Sequence, residues 1–142
     1  EGLDSTVERL QGSGVLEDPF VMPSLPFADY RNTENATQRL WDEYDCDDAD
    51  ESGPEFVYRL TLEEETPLRL MVMDRDDVDI DLHLLDSEAN CLERGHRQID
   101  TNLPAGTYFI ALDTWVDSDG VERSGDYQFI ALQCSEGETS CQ

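Results

Sequence analysis

The chain has 142 residues, 38% of them hydrophobic, with 34 acidic residues against nine arginines and no lysine, giving a formal net charge of −25. That length accommodates one domain with a sizeable core. The charge excludes the basic footprint that nucleic acid requires and disfavours anionic membrane surfaces, and no apolar run is long enough to span a bilayer.

Residues 1–18 read as an extended N-terminal arm, broken by Gly12-Ser13-Gly14 and carrying Val7, Leu10, Val15 and Leu16. Residues 19–28 are apolar but interrupted by Pro19, Pro23 and Pro26, which suits an edge strand or an extended wrap. Residues 32–44 suit a short helical turn or a loop, with Leu40 and Trp41 covering the core. Segment 42–55 holds eight carboxylates in fourteen residues and must be a loop. Strand signals then follow in succession. In 56–62, Phe56, Tyr58, Leu60 and Leu62 alternate with Val57, Arg59 and Thr61, the mark of a half-buried strand. In 67–74, Leu68, Leu70 and Val72 share a face. In 78–86, Val78, Ile80, Leu82 and Leu84 are expected to face inward, and Asp79, Asp81 and His83 outward. Residues 91–103 suit two short extended pieces. A Pro-Ala-Gly turn at 104–106 leads into a strand in which Tyr108, Ile110 and Leu112 alternate with Phe109 and Ala111. A loop at 116–125 precedes the last strand, 126–134.

Short strands at close spacing, without helical period or βαβ alternation, predict an all-β fold. The expected architecture is an antiparallel β-sandwich, jelly-roll-like, of about eight strands. It would occupy residues 19–142 behind the arm at 1–18.

Three stretches occur in a telling order: Asp77-Val78-Asp79-Ile80-Asp81-Leu82-His83-Leu84-Leu85-Asp86, then Leu103-Pro104-Ala105-Gly106-Thr107-Tyr108, then Gly125-Asp126-Tyr127. They resemble the D-x-D-L-x-L-x-D strand, the L-P-A-G-x-Y turn and the G-x-Y strand of the bacterial pre-peptidase C-terminal (PPC) domain family. Residues 51–58 also resemble that family's acidic lead into its second strand. The resemblance covers roughly residues 19–133. It implies a small secreted bacterial β-sandwich of the kind appended to secreted hydrolases, related to the collagen-binding domains of collagenases. Those relatives bind calcium through loop carboxylates. No enzyme accompanies the module within these residues, which shifts the expectation toward a binding or structural role.

The four cysteines, Cys46, Cys91, Cys134 and Cys141, form no CxxC pair and have no histidine at zinc spacing. An even count in an acidic β-rich chain points to disulfides and an oxidising compartment. Of the three pairings, Cys46–Cys91 with Cys134–Cys141 is favoured. The first ties the acidic loop to the turn after the 78–86 strand, and the second closes a short C-terminal loop. Free buried thiols are the competing reading.

Calcium takes six to eight oxygen ligands, and the loops supply many carboxylates. The candidate ligands are Asp45, Asp47, Asp48, Asp50, Glu51 and Glu55, then Asp74, Asp76, Asp77 and Asp79, then Asp113, Asp117 and Asp119. A solvated acidic surface is the alternative. Residues 117–120 lack the glycine and closing glutamate of an EF-hand. The two histidines, His83 and His96, belong to no HExxH motif, and neither GxSxG nor a phosphate-cradling glycine loop is present. No catalytic residue is assigned. Trp41, Trp115, Tyr30 and Tyr44 offer either a peptide or glycan patch or caps on the core. Arg94 and Arg97 form the only compact basic spot.

The sequence therefore predicts an extracellular, non-catalytic, calcium-stabilised β-sandwich. It would self-assemble through its arm into a filament or matrix, by donation of a strand to an open sheet edge. The alternative is a monomeric peptide- or carbohydrate-binding module associated with a secreted hydrolase.

Overall fold

The computed structural model describes residues 10–134. Nine strands form two facing sheets. They are β1 (Phe20–Val21), β2 (Phe27–Asn32), β3 (Glu55–Leu62), β4 (Thr66–Met73), β5 (Ile80–Leu85), β6 (Cys91–Gly95), β7 (Gln98–Leu103), β8 (Gly106–Thr114) and β9 (Asp126–Gln133). One sheet has the order β1-β3-β8-β5-β6, the other β2-β9-β4-β7. Every pairing is antiparallel except β1 with β3. A single turn of 3-10 helix, Thr33–Asn35, follows β2 and is capped by the Asn32 side chain. The expected β-sandwich is therefore present, and no helix among the described residues is long and apolar enough to cross a membrane.

The alternation predicted for the strands places the core. Phe56, Tyr58, Leu60 and Leu62 from β3, Leu68, Leu70 and Val72 from β4, and Tyr108, Ile110 and Leu112 from β8 all enter the space between the sheets. Ile80, Leu82 and Leu84 join them from β5. Tyr58 carries its hydroxyl into this core and donates to Asp29 at 2.5 Å, with the Tyr127 hydroxyl 2.8 Å away. A buried hydroxyl needs such partners, because an unpaired one costs about 1–3 kcal/mol.

Residues 10–18 are seated on their own domain. Leu10 packs against the core, Val57 N–H donates to the Gly14 carbonyl, and Leu16 N–H donates to Gln38 Oε1. Gly12 makes this close path: it has φ +105, and a Cβ there would fall 1.9 Å from the Pro19 carbonyl oxygen. The Val7 part of the expected arm lies outside the described residues.

Two sequence expectations are corrected. Asp81 and His83 do not face solvent; both are fully buried. Leu40 does not cover the sandwich but stands exposed, leaving that task to Trp41 and Tyr44. Both corrections have one cause. The acidic loop folds back over the outer face of the five-stranded sheet and forms a second, smaller apolar cluster there, with Tyr44, Val57, Leu85 and Ala111 at its centre.

Candidate functional site

Strand order and register assemble a row of ionisable groups under the loop. Glu55 on β3 stands opposite Asp113 on β8, and Asp113 stands opposite Asp81 on β5. One step further along β5, His83 pairs with Ala111 on one side and Arg94 of β6 on the other. The loop contributes Tyr44, Asp47 and Glu51 from above. Glu51, Glu55, Asp81, His83 and Asp113 are all 0–1% exposed.

Each buried group is held differently. Asp113 Oδ2 accepts from the Tyr44 hydroxyl at 2.6 Å, and Oδ1 accepts from Thr114 N–H at 2.7 Å. Glu55 Oε2 accepts from Gln38 Nε2 at 2.6 Å and from Leu40 N–H at 2.8 Å. Asp81 Oδ2 accepts from Arg94 Nη2 at 2.6 Å, and its Oδ1 lies 3.0 Å from His96 Nδ1. Arg94 also approaches Asp47 at 3.3 Å and Glu51 at 3.6 Å. His83 makes no hydrogen bond through either ring nitrogen. It stacks instead: its ring lies 3.7 Å from that of Tyr44 at 11°, and Tyr44 in turn stacks on Trp41 at 5.0 Å. Its Nε2 is 3.6 Å from Glu51 Oε2, the oxygen that Arg94 also approaches, and the Glu51 carboxyl lies against Asp81.

Burial sets the protonation of this layer. It pushes Glu51 up to about 10, reinforced by the Asp81 carboxylate. It also pushes Asp113 well above the usual carboxylate range, with the charge of Glu55 adding to it. Against its own burial, Asp81 is held below that range by the acid proton of Glu51, by Arg94 and by His96. Burial lowers His83 to about 4, so the ring is neutral at pH 7. At pH 7 Glu51 is thus a neutral acid and His83 a neutral imidazole, beside the Asp81–Arg94 ion pair. A buried ion without a partner would cost several kcal/mol, and protonation avoids that cost.

The loop is fastened over this layer. Cys46 and Cys91 form the expected disulfide, linking it to the start of β6. Thr114 Oγ1 donates to the Pro54 carbonyl at 2.7 Å, Glu51 N–H to the Asp42 carbonyl at 2.7 Å, and Val116 N–H to the Asp50 carbonyl at 2.9 Å. Gly53 permits the approach: a Cβ there would lie 2.7 Å from the Thr114 Cβ. The proposed Cys134–Cys141 bond involves Cys141, which lies outside the described residues.

The carboxylates singled out in the sequence serve several ends. Glu51, Glu55 and Asp113 are in the covered layer. Asp47 and Asp50 close local turns, accepting from Ala49 N–H at 2.7 Å and Ser52 N–H at 3.0 Å. Asp117 does the same for Asp119 and Val121 N–H, at 2.9 and 3.0 Å, and pairs with Arg123. Asp45 accepts from Cys91 N–H at 3.4 Å, while Asp48, Asp76, Asp77 and Asp119 are exposed. Asp74 accepts from Ile80 N–H at 2.7 Å and pairs with Arg97. Asp79 sits at the rim of the layer, 3.6 Å from His96 Nδ1. Of the aromatics, Trp41 and Tyr44 belong to the cover, whereas Tyr30 stands exposed on the other sheet.

Asp81, His83 and His96 were not among the sequence-based site residues. A signal was nonetheless present. A Cys46–Cys91 bond forces the loop across the outer face of β5, which removes Asp81 and His83 from solvent.

Among the described residues, no such loop covers the outer face of the four-stranded sheet. Tyr30, Gln128 and Met73 form one row across β2, β9 and β4, and Ala28, Ile130, Met71 and Gln98 form the next across all four strands. Tyr30 is 61% exposed and Met73 47%. These two, with Gln128, Asp126 and Arg75, line a hollow of about 220 Å³.

No protein-family model and no curated protein matches the chain. Among solved structures, the periplasmic inhibitor of g-type lysozyme from Aeromonas hydrophila is similar at a TM-score of 0.47 and 10% identity, over 76% of this chain and 83% of that one. Similarity of that degree carries no inference about function.

Proposed function

We propose that the chain is a non-catalytic, extracytoplasmic module that binds a basic, extended peptide segment on the bare face of its four-stranded sheet. The observation that carries this reading is the asymmetry of the sandwich. Among the described residues, one outer face is covered by a disulfide-fastened loop, and the other presents Tyr30 and Met73 to solvent with Met71 and Ile130 half-buried beside them. Methionine side chains adapt to varied apolar partners, and an exposed tyrosine gives a rigid platform beside them. The net charge of −25 favours a cationic partner by steering and by suppressing anionic ones. The disulfide suits an oxidising compartment, and the PPC resemblance suits secretion. The ionisable groups under the loop line neither this hollow nor the larger one, of about 560 Å³, at Met22–Leu25 and Leu60–Glu64. They are read as structural. Self-assembly by strand donation loses support over residues 10–18, which are committed to their own domain.

Peptide and glycan arrays probed with the wild-type chain and with Tyr30→Ala/Met73→Ser test the reading. Basic peptides retained by the wild type and lost by the variant support it. Retention of glycans instead, or peptide binding that the variant leaves unchanged, overturns it.

A further inference from the structure

The chain has three methionines, and the fold places them unequally. Met22 belongs to the core at 5% exposure, bordering the larger hollow. Met71 and Met73 occupy successive outward positions of β4, alternating with Leu70 and Val72, which enter the core. Met71 is half-buried between Ile130 of β9 and Gln98 of β7. Met73 is 47% exposed and lines the hollow of about 220 Å³ beside Tyr30 and Gln128. Outward positions of a strand with one solvated face ordinarily carry polar residues. Here two thioethers take them, and the apolar contact they offer lasts only while the sulfur stays reduced.

We infer that Met73, with Met71 behind it, is an oxidative modification site: a peroxide converts the Met73 thioether to the sulfoxide, and the modified face releases its peptide. This rests on the reading of that face as the peptide-binding surface. In the reaction a sulfur lone pair attacks one peroxide oxygen. The S–O bond forms as the O–O bond breaks, sulfur loses two electrons, and the departing oxygen takes up a proton and leaves as water. The sulfoxide is polar and chiral where the thioether was apolar and adaptable, so the contact beside Tyr30 is lost. No ionisable group is created or removed, and the net charge of −25 is unchanged. Electrostatic steering therefore stays intact, and the effect falls on the dissociation rate rather than the association rate. Met71 reacts after Met73 because its neighbours half-cover it, and Met22 reacts last because the core encloses it.

Graded hydrogen peroxide treatment of the full chain tests this, with peptide mapping by mass spectrometry and binding kinetics for an array-selected basic peptide on the same samples. Met73 is expected to gain oxygen first, then Met71, then Met22. As the Met73 sulfoxide accumulates, dissociation quickens by about tenfold, the scale of one lost apolar contact, while association is unchanged. Treatment with methionine sulfoxide reductases of both epimer specificities reverses the change. Met71→Leu/Met73→Leu, whatever its starting affinity, shows no response to peroxide, whereas Met22→Leu responds as the wild type does. The inference is overturned if Met22 oxidises as fast as Met73, if peptide dissociation is unaltered once Met73 is the sulfoxide, or if the double leucine variant responds like the wild type. If the untreated wild type retains no basic peptide, the surface reading itself fails and this inference falls with it. If the untreated and oxidised proteins hold the peptide equally, this inference alone fails.

Discussion

Glu51 gives the sharpest test of the covered layer. Its carboxyl is buried beside Asp81 and held protonated, with its ionisation pushed from the ordinary 4.5 up to about 10. In the unfolded chain it ionises near its ordinary value. The folded state therefore binds more protons between these limits, and stability falls as pH rises through them. At pH 7 the group has crossed about 2.5 units of this window, which at 1.36 kcal/mol per unit costs the fold about 3 kcal/mol. Glu51→Gln keeps the shape, stays neutral at every pH, and retains an N–H to direct at Asp81. The variant is expected to match the wild type near pH 4.5 and to exceed it by about 3 kcal/mol at pH 7. Urea unfolding of both metal-free proteins from pH 4.5 to 8 measures the difference. A gap that does not grow with pH, or a variant less stable than the wild type at pH 7, refutes the reasoning.

His83 acts in the opposite direction. Burial lowers it from 6.5 to about 4, so folding loses stability as pH falls through that interval, and His83→Gln is expected to flatten the acid limb of the same titration. Removing the Cys46–Cys91 bond by a double alanine substitution releases a loop of 45 residues. Its closure entropy predicts a loss of about 4 kcal/mol in urea unfolding, and a loss under about 1 kcal/mol would count against the loop as a fastened cover. Gly53→Ala drives a methyl to 2.7 Å from Thr114 Cβ, and a cost of about 1–3 kcal/mol is expected, with faster hydrogen exchange at Glu51 and Val116.

The strands were legible because alternation reports which side chains meet the core. Tyr58, Leu70, Leu82 and Ile110 all stand where period-2 reading places them. The same reading failed on the other face of β5. Alternation separates apolar from polar positions, but it does not distinguish a polar residue in water from one under a loop. Asp81 and His83 are polar and buried, and only the long-range Cys46–Cys91 link carried that information. The acidic turns show a second limit of composition. Asp47, Asp50 and Asp117 have the composition of metal ligands, and in each Oδ1 accepts from the backbone N–H two residues ahead, a turn role that composition does not distinguish. His96 was visible as a turn residue, but its approach to Asp79 and Asp81 depends on the pairing of β5 with β6.

The central claim is that the bare four-stranded face is the working surface and the loop-covered face is structural. Amide chemical-shift mapping during titration with a basic peptide recovered from the array tests it most directly. The account predicts saturable shifts centred on Tyr30, Met73, Gln128 and Ile130, with residues 42–54 unmoved. Shifts centred on the loop, with β2, β4 and β9 silent, would contradict it.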